Sequence, residues 1–135
     1  MTGANSHLAQ RRIDRAIEAL READLLIADQ LWRGAINRLY YAAFYAAKAL
    51  LAVRNLDTSK HSGTIALFQQ HFVKTQLVPT DMARGLSRAF DKRQLTDYAD
   101  SSDPGHDDVR EIEDPVRRLV EFCARFVEQQ IIDEK

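Results

Sequence analysis

Residues 31–54 read LWRGAINRLYYAAFYAAKALLAVR. Trp32, Ala35, Leu39, Ala42, Ala43, Ala46, Leu50 and Val53 recur there at helical spacing, and further apolar groups occupy most of the remaining circumference. A helix that is apolar nearly all round must be covered nearly all round, so this segment is either the central helix of a bundle or is clamped between the bundle and a second subunit. Its many alanines let neighbouring backbones approach closely. One flank departs from the pattern, because Arg38, Tyr41, Tyr45 and Lys48 put a guanidinium, two phenols and an ammonium side by side. Such groups need partners wherever they leave water.

On the N-terminal side, Ile13, Ile17, Leu20, Ile27 and Leu31 form an amphipathic stripe, with Arg11, Arg12, Asp14, Arg15, Glu18, Arg21 and Glu22 on the other faces. A first, outer helix is expected. After the break at Asn55–Ser59, Thr58 or Ser59 can cap a third helix from about Lys60 to Gln76, carried by Ile65, Phe68 and Phe72. Thr80 is the expected N-cap of a fourth helix reaching about Asp100, followed by a loop at Ser101–His106. The last helix repeats Ile112, Val116, Leu119, Val120, Cys123, Phe126, Val127 and Ile131. Either Asp114 caps it with Pro115 as its first residue, or it starts near Asp107 and bends at Pro115; the second arrangement is preferred. Short connections between five helices imply antiparallel neighbours, hence an all-α, up-and-down bundle of four to five helices in a single domain over residues 1–135.

Composition agrees, with 45% apolar and 29% charged residues, five glycines and three prolines. No run of about 18 uncharged apolar residues and no signal-like N-terminus appears, so a cytoplasmic protein without membrane contact is expected. Cys123 lies in the apolar repeat of the last helix and reads as a buried thiol. Net charge is −1, yet Lys60–Arg93 holds six basic against two acidic residues, whereas Asp97–Asp114 holds eight acidic residues against Arg110 alone. A basic face of this kind either is solvated or meets phosphate.

Polar residues at core positions carry the remaining information. On the fourth helix Met82, Leu86, Ala89 and Phe90 set an inward stripe on which Arg93 and Asp97 also fall. Arg38 and Asp97 are expected within hydrogen-bonding reach of each other, inside one subunit or across a dimer. Lys60 and His61 open the third helix, where free N–H groups could join them in receiving a phosphate. Arg84, Arg88 and Lys92 make a separate outward stripe. The four histidines have no metal spacing, no Gly-rich phosphate loop is present, and no serine sits in a nucleophile motif. Metal ligands and cofactors are accordingly not expected.

Three strings, RLYYAAFYAAKALL from Arg38, KHSGTIALFQQHFVKT from Lys60 and RAFDKRQLTDYAD from Arg88, resemble in content, order and spacing the small stand-alone HEPN-domain proteins, over roughly Ile13–Val127. The resemblance implies a bundle that forms a homodimer with a polar cleft at its interface. It implies RNA or nucleotide as ligand, and a two-component module with an MNT-type nucleotidyltransferase on a separate chain. Many such proteins are toxin-like, metal-independent endoribonucleases whose hallmark is an arginine followed, after four to six residues, by histidine. Arg93 matches that arginine, but positions five, six and seven beyond it are Tyr98, Ala99 and Asp100. Imidazole is suited to moving protons near neutral pH, and Asp97 and Tyr98 would have to stand in for it. The resemblance therefore points to Arg93, Asp97 and Tyr98 as catalytic candidates. Arg38, Tyr41, Lys60, His61 and Arg93 are the ligand-binding candidates, and Tyr98 the candidate acceptor of a nucleotidyl group. A non-catalytic docking or regulatory subunit for a nucleotidyltransferase is the alternative.

Overall fold

The computed structural model describes residues 3–98 and 103–134, with side chains from Asn5 onward. Within them the chain forms α1 (Gly3–Ala28), α2 (Trp32–Val53), α3 (His61–Phe68, continuing as a π-turn over Gln69–Val73), α4 (Thr80–Tyr98) and α5 (His106–Asp133), with no strand among the described residues. The all-α bundle expected from the sequence is what is observed. The far end of the fourth helix at Ala99 and Asp100, and Ser101 and Ser102 in the expected loop, lie outside the described residues.

Helix α2 is central. From Ala35 to Val53 all but Asn37, Arg38, Tyr41, Tyr45 and Lys48 are buried, covered within the one chain by α1, α3, α4 and α5. The apolar girth of α2 is thus satisfied without a second subunit, and what it leaves half-exposed is the polar strip. Helix α1 packs on it through Ala9, Ile13, Ala16, Ala19 and Ala23, whereas Ile17 and Leu31 are exposed. Ile13 of the expected stripe is buried and Leu20 and Ile27 are half-buried against the core, so the stripe is met in part, and alanines fill the rest of the seam. Small residues facing the alanines of α2 bring the two axes together, while Leu20, Leu26 and Ile27 pack along the edges of the seam.

Three turns use left-handed residues other than glycine: Gln30 (φ 58°), Asn55 (φ 59°) and Gln76 (φ 63°). After α1, Leu31 N–H donates to the Leu26 carbonyl at 2.8 Å and Gln30 N–H to Ile27 at 3.0 Å; after α2, Leu56 and Asn55 repeat the pattern on Leu51 and Ala52. Both are Schellman motifs, which satisfy the last carbonyls of each helix.

Helix α5 begins at His106 and runs unbroken through Pro115. Its first turn is tied by Asp108, whose carboxylate accepts the Gly105 N–H at 2.7 Å. Helix α4 crosses it at Gly85, where a Cβ would lie 2.7 Å from the Pro115 carbonyl oxygen. Lys92 is not part of an outward stripe. It turns to α5 and pairs with Asp108 at 3.2 Å and Glu111 at 2.6 Å, while Arg84 and Arg88 remain exposed. Cys123 is fully buried, and burial pushes its thiol pKa up. No described helix is long and apolar enough to cross a membrane.

Candidate functional site

The site grows from the polar strip of α2, which forms the floor between α1 on one side and α3 and α4 on the other. Arg93 continues the stripe of Met82, Leu86 and Phe90, and at that level it meets aromatic rings. Its guanidinium carbon is 4.8 Å from the Tyr40 ring centroid and 5.3 Å from that of Tyr41. Its Nε is buried and has no hydrogen-bond partner. The nearest carboxylate oxygen, on Asp97, is 3.7 Å away, which makes an i, i+4 ion pair and is too far for a hydrogen bond. A buried, charged donor left open costs free energy unless something arrives to fill it.

Asp97 does not follow Arg93 inward. Its side chain is 52% exposed, because the last turn of α4 runs beyond the elements that cover Arg93, and Thr96 is the buried residue there. Arg38 also departs from expectation. Within the chain it pairs with Glu22 on α1 at 3.4 Å and lies 5.0 Å over the Tyr41 ring, and it does not pair with Asp97. Tyr41 consequently carries one arginine from each neighbouring side and stacks on Tyr45 at 6.1 Å. Arg15 lies over Tyr45 and donates to its hydroxyl at 3.2 Å. Together these residues line a polar groove of about 260 Å³ between α1 and α2.

On the other side, His61 is the first residue of α3. The turn before it is fixed by Asp57, which accepts the Thr58 N–H at 2.9 Å, and by Thr58 Oγ1, which accepts the Lys60 N–H at 3.3 Å. Thr58 therefore serves the residue before the helix and no side chain caps α3; Gly63 leaves room for that hydroxyl, since a Cβ there would lie 2.6 Å from Thr58 Oγ1 and push it aside. This turn sets the imidazole on Phe44, centroids 4.3 Å apart, with Nδ1 3.0 Å from the Tyr40 hydroxyl. Burial, then the charges of Arg93 and Lys48, hold the His61 pKa below the usual imidazole value. Burial, aided by Tyr41 and partly countered by Arg93, pushes Tyr40 up to about 12. At neutral pH the pair is a neutral imidazole beside a neutral phenol.

Of the candidates named from sequence, Arg93, Tyr41 and His61 come together and Arg38 borders them. Lys60 is exposed beside the cluster, and Tyr98, 82% exposed at the end of α4, stands apart from it. Two residues escaped the sequence reading. Tyr40 joins Arg93 to His61, and its one visible signal is a hydroxyl at a core position, four residues after Ile36 and before Phe44. Arg33, at the start of α2, donates to the Thr96 carbonyl and pairs with Asp103 at 3.2 Å, clamping the end of α4. Among the described residues no three His, Cys, Asp or Glu side chains are grouped as metal ligands.

A five-helix bundle with a half-buried arginine on α4 facing the aromatic strip of α2 defines a class of small helical domain. A family model described as HEPN domain matches residues 9–128. The chain belongs to the HEPN family. It is 37% identical over 118 residues to a UPF0332 protein of Thermotoga maritima, covering 82% of this chain and 89% of that one. It is also similar to two Methanocaldococcus jannaschii proteins, named "Putative toxin MJ0605" (37% identity, 66% of each chain) and "Putative toxin MJ0142" (30% identity, 66% of this chain). The matches span 60% and 66% of the lengths of MJ0142 and MJ0605 respectively.

Proposed function

We propose that this chain is a toxin-like HEPN subunit that binds RNA, or the phosphate of a nucleotide, at Arg93. In this reading two copies form a homodimer with the cleft between them, and an MNT-type nucleotidyltransferase on a separate chain is the partner. The observation that carries it is the buried Nε of Arg93, which makes no hydrogen bond and is held beside the Tyr40 and Tyr41 rings, with Arg38 on the same Tyr41 ring. A guanidinium fixed on its flat face offers its N–H edge to a phosphate in a bidentate manner, and tyrosines alongside suit unstacked bases. The names of the two M. jannaschii relatives favour the toxin-like role.

Metal-independent cleavage of the bound RNA is the activity this reading includes. A second reading, a non-catalytic subunit docked to the nucleotidyltransferase, is favoured by the tyrosine where the hallmark histidine would stand. Tyr98, exposed at the end of α4, is the acceptor of the nucleotidyl group in that case.

The test is equilibrium binding of single-stranded RNA by the parent, Arg93→Ala and Arg84→Ala, with melting curves for each. Loss of Arg93 should weaken binding tenfold or more, whereas loss of Arg84 should lower affinity slightly and flatten the salt dependence by about one ion. Equal binding by the parent and Arg93→Ala refutes the site.

A further inference from the structure

His61 and Arg93 come from different helices and both meet Tyr40. The imidazole is fixed at two points, by Phe44 against its face at 4.3 Å and by the Tyr40 hydroxyl at Nδ1, 3.0 Å away. Nε2 makes no hydrogen bond among the described residues, and the side chain is half-buried, open on that side to a ligand. Resting on the RNA-binding reading above, we propose that His61 is the proton-transfer group of a metal-independent RNA cleavage centre, held by Tyr40 beside the phosphate that Arg93 binds. The imidazole that the family motif places after its arginine is supplied here from the start of α3.

The chemistry balances without a co-reactant. In the tautomer in which Nδ1–H donates to the Tyr40 oxygen, Nε2 carries the free lone pair. It takes the proton of a ribose 2′-hydroxyl while the 2′-oxygen attacks the adjacent phosphorus. The bond from phosphorus to the 5′-oxygen breaks, and the proton returns through water to that leaving oxygen. One P–O bond forms and one breaks, giving a 2′,3′-cyclic phosphate and a 5′-hydroxyl with nothing oxidised or reduced. Arg93 offsets the charge that grows on the non-bridging oxygens.

The base must be neutral. Facing it are Tyr40, Tyr41 and Lys48 from α2 and Arg93 from α4, with Lys60 next to it in the chain. Burial and the two cations favour the neutral ring, so the base form is filled at neutral pH.

The experiment measures cleavage of single-stranded RNA in excess chelator, as rate against pH, for the parent, His61→Ala, Tyr40→Phe and Arg93→Ala. RNA affinity and melting are measured beside it, and His61→Asn replaces the alanine variant if that fails to fold. The parent should yield cyclic-phosphate ends, with a rate that climbs with pH to a plateau through a midpoint below about 6.5, and should leave 2′-deoxy substrate intact. His61→Ala should lose on the order of 10²- to 10⁴-fold in rate, lose that limb, and regain activity with added imidazole, while binding RNA better than Arg93→Ala. Tyr40→Phe should keep the limb at about a tenth of the rate, as expected of a positioning residue. Cleavage by His61→Ala within about twofold of the parent overturns the proposal. A parent that binds RNA and cleaves none overturns it while leaving the binding site standing; a parent that neither binds nor cleaves removes both.

Discussion

The crossing of α4 and α5 at Gly85 gives a prediction whose size follows from distances. In Gly85→Ala the new Cβ would sit 2.7 Å from the Pro115 carbonyl oxygen, 2.9 Å from its carbon and 3.1 Å from the Val116 nitrogen. All three are backbone atoms inside a 28-residue helix, so none can swing away. The helices must instead part by several tenths of an ångström, loosening the contact around Leu86, Ala89, Ile112 and Val116. Overpacking of this kind costs about 1–3 kcal/mol, against a gain of up to about 1 kcal/mol from replacing glycine inside a helix. Because the clash is with backbone atoms the cost lies at about 2–3 kcal/mol, and the net loss of about 1–2 kcal/mol corresponds, for a chain of 135 residues with an unfolding entropy of about 0.28 kcal/mol/K, to a melting temperature lower by about 4–7 °C. Gly34→Ala is the matched comparison, since its Cβ would meet only the flexible Leu26 side chain, at 3.2 Å. It should melt at or slightly above the parent. Circular dichroism melts of the three proteins decide the matter, and a Gly85→Ala protein as stable as the parent would refute the packing argument.

Two further outcomes are expected. The Gly105 N–H first, and then Lys92, hold the Asp108 carboxyl below the usual range, so its stabilisation is complete above about pH 4 and is lost as pH falls through the folded-state value; denaturant titrations of Asp108→Asn should show a smaller loss between neutral and acid pH than the parent. Arg33→Ala frees the Thr96 carbonyl and Asp103, so the melting temperature should fall by a few degrees and hydrogen exchange in the last turn of α4 should quicken, with Lys60→Ala as an unaffected reference.

The bundle was legible because α2 is apolar around most of its circumference and the break at Asn55–Ser59 interrupts the apolar pattern. The seam of α1 was legible at Ile13 but not at Ala9, Ala16, Ala19 and Ala23, since a hydrophobicity pattern weights isoleucine and leucine above alanine whereas close helix packing selects alanine. Helix ends at Gln30, Asn55 and Gln76 carry no glycine to announce them. At the site, the strip Arg38, Tyr41, Tyr45 and Lys48 emerged as read, because the flank of a central helix is fixed by its own period. Pairings across helices were less legible: Arg38 chose Glu22 over Asp97, Lys92 turned to Asp108 and Glu111, and Tyr40 reached His61. Each depends on which helix lies alongside, and no spacing within one helix encodes that.

The central claim is that a phosphate takes up the hydrogen bond that the buried Arg93 Nε–H leaves unmade. The Arg93 Nε–H resonance, assigned by its loss in Arg93→Lys, reports on that atom alone in a ¹H–¹⁵N spectrum. Titration with single-stranded RNA should move it downfield and slow its exchange with water, while the Nε–H signals of Arg84 and Arg88 change little. A signal that stays in place while RNA binds would contradict the account.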